Sequence, residues 1–300
     1  MNGEKARIWG GFLIVSLVWG STWLVIKLGI QTIPPFFAAG VRFCIAAAVL
    51  FAIVRARRLA VPLTRDARVL FVTMAVLSFG IPFALVYWAE QHIPTGLASV
   101  LFAAFPFWVA IFSQVFLKSE PIDAFKAAGI VLGFGGILLI FWGDFDISNP
   151  LAAWAMAAVI TSTIMQAMML IVVKKLGQEI SPFVMNFAGM SMAGPFLLLM
   201  SFAVEPWTGM RWDATAVGSI LYLALAGSIL TFVSYYWLLK RIKAVYLSLT
   251  SFINPIVAVI LGAIVLGETL DTSFALGASC VLAGILVANG RTLYARITSK

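Results

Sequence analysis

The sequence predicts an all-α integral membrane protein of ten transmembrane helices with both termini cytoplasmic, and three observations predict it. The 300 residues are 62% hydrophobic and 11% charged, with a mean hydropathy of +1.05, a balance that no polar surface can wrap. The apolar residues form blocks close to the roughly 20 residues that carry a helix across a bilayer core of about 30 Å. The charges fall in the short breaks between those blocks and are biased to one side.

Taken in order, the first block, 8–30, is longer than a signal-peptide core and lacks a cleavage site before the next span, so it reads as a retained helix. The second, 34–54, lies within "IPPFFAAGVRFCIAAAVLFAIV" and holds one cation, Arg42. The third, 69–89, contains "SFGIPFALVYW", where Gly80 and Pro82 predict a kink near mid-helix. In the fourth, 94–117, Ser99, Ala103 and Pro106 recur at helical spacing, and in the ninth, 244–266, Ser248, Ser251 and Pro255 do the same with Asn254 beside them. Spans at 124–142, 150–173, 181–203, 214–238 and 272–290 complete the set. Connections such as "KSEPID" and "GETLDT" are tight turns, which leaves no room for a soluble catalytic domain.

Of the twenty Lys and Arg residues, seventeen fall on the side that holds the N-terminus, only Arg211 falls on the other, and Lys27 and Arg42 lie inside spans. That bias predicts cytoplasmic termini and explains the net charge of +8 without nucleic acid or an acidic partner. Cys44 and Cys280 both lie within spans and read as small packing residues, with no spacing for a metal or a disulfide framework. No cofactor is implied.

The second half echoes the first. "FALVYWAEQHIPTGLASVLFAAFPFWVAIFSQVFL" from Phe83 aligns with "FVSYYWLLKRIKAVYLSLTSFINPIVAVILGAIVL" from Phe232, pairing Tyr87 with Tyr236, Trp88 with Trp237, Ser99 with Ser248 and Pro106 with Pro255. "IPPF" from Ile33 pairs with "ISPF" from Ile180, and Glu120 pairs with Glu268. The chain therefore divides into 1–143 and 144–300, each with five helices. An odd number per repeat makes the second enter the membrane from the opposite face, a plan recurrent in secondary transporters with a midplane site.

"VWGSTWLVIKLG", the "RF" at Arg42, "FPFWVAI" with "NPIVAVI", and "LKSEPIDAFKAAGIVLGFGGILLI" with "LGETLDTSFALGASCVLAGILVA" resemble the drug/metabolite transporter superfamily, specifically its EamA-type exporters. The resemblance covers essentially the whole chain. It implies two inverted EamA repeats in a bacterial inner membrane, export of amino acids or related metabolites, and a cavity bounded by the third, fourth, eighth and ninth helices.

The candidate substrate-binding residues are Trp19, Trp23, Arg42, Tyr87, Ser99, Phe102, Tyr236, Ser251 and Asn254. The small stripes serve either close helix packing or cavity lining. Trp88 and Trp237 read as interfacial aromatics, whereas Trp19 is too deep for that belt and either packs between helices or walls a site. Arg42 has two roles open to it: reaching carbonyls at the outer ends of the first and third helices, with Glu90 near, or meeting a substrate carboxylate. Lys27 is expected to snorkel. His92 either senses pH or is an exposed turn residue without a role. Glu120 and Glu268 read as capping or anchoring groups.

None of the twelve Asp and Glu residues falls inside a span, which argues against a proton-coupled exporter of cationic drugs, since that chemistry calls for a buried carboxylate. The leading expectation is a carrier of small neutral or zwitterionic metabolites, foremost amino acids and among them aromatic ones. A broad-specificity drug/metabolite carrier, a lipid flippase and a membrane-embedded enzyme are the alternatives, the last disfavoured because one histidine and scattered carboxylates offer no catalytic residues. The partners implied are a small-molecule substrate and the lipid bilayer; nucleic acid is excluded and a homodimer is compatible with the sequence.

Overall fold

The computed structural model describes residues 3–117, 122–140, 150–266 and 272–288, so Glu120 and Glu268 lie outside the described residues. Ten helical segments follow one another: α1 Gly3–Gly29, α2 Pro35–Ala56, α3 Arg65–Ala89, α4 Thr95–Phe116, α5 Ala124–Ile140, α6 Ala152–Leu176, α7 Pro182–Val204, α8 Ala214–Leu239, α9 in two pieces, Ala244–Ser248 and Thr250–Leu266, and α10 Thr272–Ala288. Seven of these, α1 to α4 and α6 to α8, are long and apolar enough to cross a membrane, and the other three are shorter apolar helices. The chain is a multi-pass membrane protein.

Helix starts follow local chemistry rather than hydropathy. Pro35 and Pro182 open α2 and α7, where the missing N–H costs nothing. Thr64 accepts from the Ala67 N–H at 3.3 Å and Asp213 from the Ala216 N–H at 2.7 Å, which caps α3 and α8. For this reason α3 begins at Arg65, four residues before its apolar block.

Two helices widen at mid-length. In α3 a π-helical turn spans Ala75–Gly80, and the Ile81 N–H reaches back five residues to the Val76 carbonyl. Pro82 follows at once; it has no N–H for the Ser78 carbonyl, so the wide turn takes up the slack. In α8 a second π-helical turn spans Leu225–Leu230, within one residue of equivalence at the repeat offset, and no proline accompanies it. Of these two helices, the sequence predicted a kink only in α3.

Prolines coincide with some helix breaks and not with others. The α4 helix is interrupted at Ala103 and Ala104, with Pro106 opening its second piece, but the break in α9 is at Leu249 and Pro255 sits inside the following helix. Around Leu249 the hydroxyls of Ser248, Thr250 and Ser251 each donate to a carbonyl three residues back, at 2.7 to 2.9 Å, which tightens the turn without a proline.

The closest helix pairs are α5 with α10 and α2 with α7, while α1 lies against α8 and α9, and α6 against α3 and α4. Small residues set these approaches. A Cβ on Gly194 of α7 would stand 2.7 Å from the Cys44 sulfur of α2, and one on Gly129 of α5 would stand 2.5 Å from the Gly284 carbonyl oxygen of α10. In lipid such backbone approaches replace the hydrophobic drive that assembles soluble helices.

Lysines tie the helix ends. Lys27 of α1 donates to the Glu90 carbonyl at the end of α3 at 2.5 Å, and Lys174 of α6 donates to the Leu239 carbonyl at the end of α8 at 2.7 Å. These are equivalent bonds: the offset of 147 that pairs Ile33 with Ile180 pairs Lys27 with Lys174, and the offset of 149 that pairs Tyr87 with Tyr236 pairs Glu90 with Leu239. A cation on the last carbonyls of a helix also meets the negative end of its dipole. Lys27 thus caps the end of α3. At the same end Glu205, after α7, accepts from the Phe36 and Phe37 N–H groups at 2.7 and 3.1 Å and caps α2.

Candidate functional site

Midway along the bundle, helices α1, α2, α3, α4, α6, α8 and α9 enclose a cavity of two small lobes, about 60 Å³ and about 20 Å³. Trp19, Phe102, Gln166 and Phe232 line both. Trp19 packs on Phe232 with ring centroids 5.0 Å apart, and Trp23 on Phe102 at 5.5 Å. The offset that pairs Lys27 with Lys174 also pairs Trp19 with Gln166, and the other pairs Phe83 with Phe232, so equivalent positions of the two halves converge at the centre.

Arg42 forms one wall of the larger lobe and is 1% exposed. Its Nε donates to Ser228 Oγ at 2.8 Å, Nη2 to the Gly227 carbonyl at 3.1 Å and Nη1 to Tyr87 Oη at 3.2 Å. The rings of Phe83 and Phe43 flank the guanidinium at 4.9 and 5.3 Å. The second π-helical turn makes this reach possible. Its glycine leaves room that a Cβ, 3.3 Å from Nη2 and 2.9 Å from Thr22 Cγ2, would take, and its carbonyl also accepts from Thr231 at 2.8 Å and Trp19 at 3.4 Å. Arg42 therefore joins α2 to α8 and, through Tyr87, to α3, and it does not reach carbonyls at the ends of α1 and α3, the first of the two roles the sequence left open. Among the described residues no carboxylate pairs with it.

The smaller lobe has a related closure. Tyr236 Oη and Ser78 Oγ, the latter in the first π-helical turn, share a hydrogen bond of 2.9 Å, so α8 and α3 are tied across the bundle. Tyr87 and Tyr236, equivalent residues, thus each serve the π-helical turn of the opposite half, Tyr87 through Arg42. Removing the Tyr236 hydroxyl by Tyr236→Phe is expected to lower thermal stability by about 1 kcal/mol, the net worth of one buried hydrogen bond, as read by unfolding in mild detergent.

Seven of the nine residues singled out in the sequence line the lobes: Trp19, Trp23, Arg42, Phe102 and Asn254 the larger, and Tyr236 and Ser251 the smaller, with Trp19 and Phe102 shared. Tyr87 stands behind Arg42. Ser99 lines neither lobe, and its hydroxyl donates to the Gly96 carbonyl at 2.7 Å. The Ser251 hydroxyl is likewise turned to its own helix. Gln166, Phe83 and Phe232 were missed. An amide within "STIMQAMML" was the available signal for Gln166, parallel to Asn254 in "FINPIV".

A larger cavity, about 810 Å³, lies elsewhere, between the ends of α2, α3 and α7. Its walls include Ile81 and Phe196, which are 38% and 45% exposed on the lipid-facing sides of α3 and α7, and its one carboxylate, Glu205, is occupied in capping α2. It is a surface groove without site chemistry. Trp88 and His92 line it with ring centroids 4.7 Å apart and planes tilted by 59°, and at the other end of the bundle Arg241 lies over Trp237 at 3.9 Å.

The membrane helices of this bundle thus meet at a central aromatic cavity with the Arg42 guanidinium on its wall. The chain belongs to the EamA-like transporter family, whose model matches it twice, over residues 8–142 and 153–290. It is 30% identical over 296 residues to the uncharacterized inner membrane transporter YedA of Escherichia coli K12, covering 96% of this chain and 92% of that one. It is 28% identical over 278 residues to the uncharacterized transporter YoaV of Bacillus subtilis, covering 92% and 94%, and 28% identical over 261 residues to the protein PagO of Salmonella typhimurium, covering 87% and 86%. A solved crystal structure shares the fold with a TM-score of 0.79 over 97% of this chain and 99% of that one, at 19% identity.

Proposed function

We propose that this transporter exports small zwitterionic metabolites, foremost amino acids with apolar or aromatic side chains, across the bacterial inner membrane by alternating access. The observation that carries this reading is a buried guanidinium on the wall of an aromatic cavity, with no carboxylate partner among the described residues. A substrate carboxylate would supply the missing charge, the rings of Trp19, Trp23, Phe102 and Phe232 would receive an apolar side chain, and the Gln166 and Asn254 amides offer acceptors for an ammonium group.

The lobes are far smaller than the roughly 300 to 1,000 Å³ of small-molecule sites, so the site is closed here and has to open for cargo. Helices that alternate in direction, with five in each family match, support an inverted repeat able to open at either end. The excess of Lys and Arg at the end where α1 starts supports a cytoplasmic location for that end, with the Glu90 end outside.

The test is counterflow in liposomes with labelled phenylalanine, leucine and alanine, each preloaded unlabelled. Uptake faster than in empty liposomes, lost on Trp19→Ala, is the expected result. Absence of counterflow for every amino acid would remove this substrate class.

A further inference from the structure

The sequence places no carboxylate inside a span, but the structure places one in the closed bundle. Glu90 follows the last residue of α3 and is 0% exposed. Its Oε2 accepts from Thr95 Oγ1 at 2.9 Å, and its Oε1 has no hydrogen-bond partner among the described residues. A buried carboxylate left half-satisfied is costly in its ionised form.

The fold does not require this acid. At the equivalent position of the second half stands Leu239, also 0% exposed, and the lysine bond to the backbone carbonyl is made there just as it is at Glu90. The end cap uses the carbonyl, which every residue has. The side chain at position 90 is therefore free to serve something other than the cap, and its placement is close to the site: Tyr87, one turn earlier on α3, holds Arg42, and Val86 and Ile26 line the larger lobe.

On these grounds we infer that Glu90 is a proton-binding site, taking up one proton from water as its end of the bundle closes and releasing it as that end opens. The inference rests on the alternating-access reading. The charged and titratable groups around it are Lys27 on α1, Tyr87 on its own helix and through it Arg42 on α2, and His92 in the same turn. From α4 comes Thr95, and α6 brings Ala152, Ala155 and Val159 to the cluster around Ala89 and Ile93.

The sign follows from hydration. Burial pushes the Glu90 carboxyl up to about 7, against the Thr95 bond and the Lys27 ammonium, which both favour the ionised form. Opening that end wets the carboxyl and returns it toward the ordinary glutamate range of about 4.3. The closed state thus holds the proton more tightly, and a fall in pH through neutrality shifts the population toward closure. With the Glu90 end outside, an external proton would favour closure of the emptied carrier at that end, so the return step quickens as external pH falls while the proton itself goes back to the side it came from.

Two substrate-independent measurements in liposomes test this. Infrared difference spectra of the wild type are expected to show a protonated carboxyl band with a midpoint near neutrality, absent from Glu90→Gln and moved to higher pH by Lys27→Met. In a background carrying Cys44→Ala and Cys280→Ala, labelling of Ile26→Cys by a water-soluble maleimide is expected to slow as pH falls through neutrality by more than the loss of thiolate accounts for, as calibrated on the detergent-unfolded protein, with that excess lost on adding Glu90→Gln. If Glu90→Gln does not fold, Thr95→Val, which removes a bond to the ionised form, is expected to raise the band midpoint in its place. A band that persists in Glu90→Gln, a wild-type midpoint in the ordinary carboxylate range, or Ile26→Cys labelling that follows thiol ionisation alone would each overturn the assignment. None of these readouts depends on which cargo is carried, so a failure of the amino-acid reading leaves them interpretable.

Discussion

Replacing Arg42 with glutamine is expected to abolish amino-acid counterflow while leaving folded yield close to wild type. The reason lies in how its partners are shared. Losing the guanidinium leaves the Gly227 carbonyl with the Thr231 hydroxyl and the Trp19 indole, and leaves the Ser228 hydroxyl donating to the Leu223 carbonyl at 2.9 Å. Only Tyr87 loses its bond outright, and a glutamine amide is long enough to offer it another. Against that loss stands the relief of burying one fewer uncompensated cation. The functional cost is larger. A charge-assisted contact to a substrate carboxylate is worth about 1.5 to 3 kcal/mol, or roughly ten- to a hundredfold in apparent affinity. Arg42→Lys keeps the charge but cannot bridge Ser228, Gly227 and Tyr87 at once, and it is expected to retain a fraction of counterflow with a raised apparent KM. Size-exclusion yield and counterflow, measured together on both variants, check this: loss of folded protein in Arg42→Gln would make the residue a structural tie alone.

Gly129→Val is expected to remove folded protein altogether, with Gly135→Val in the same helix nearly silent. A Cβ at Gly129 would meet the Gly284 carbonyl oxygen and the Ala288 nitrogen, both at 2.5 Å, and these are backbone atoms of α10 that no rotamer change can move. The reverse contact is as close, since a Cβ at Gly284 would lie 2.6 Å from the Gly129 carbonyl oxygen. Forcing the helices apart costs about 1 to 3 kcal/mol or more by overpacking and forfeits the dispersion contacts of a whole helix pair. At Gly135 a Cβ meets nothing within 4 Å. Monodisperse yield in mild detergent separates the two.

How much of this was legible can be seen residue by residue. The helices were readable because the bilayer imposes length and apolarity on every crossing, and Thr64 and Asp213 shifted the ends only by local capping. The π-helical turn of α3 left a trace in Gly80 and Pro82, whereas that of α8 left none, because a wide turn is chosen by what packs against it and Arg42 packs against this one. Aromatic and amide residues deep in spans pointed to the cavity, since few other uses justify them there. The Ser99 hydroxyl misled because helical spacing records which face a residue occupies, not whether its hydroxyl satisfies its own backbone. Glu90 misled in the opposite sense: an acid next to a turn reads as solvated, and only the helices packed around it withdraw it from water.

By itself the sequence determined a ten-helix membrane protein, its internal repetition, the charge bias at its ends and most of the side chains that line its centre, because each of these is written in composition or in spacing along one chain. The tertiary structure alone decided the partners. That Arg42 holds Gly227 and Ser228 across 185 and 186 residues, that Tyr236 reaches Ser78, and that Lys27 caps the helix ending at a buried Glu90 are contacts between helices. Helical period fixes which way a side chain faces, but which helix it then meets depends on the rotation and close approach that small residues permit.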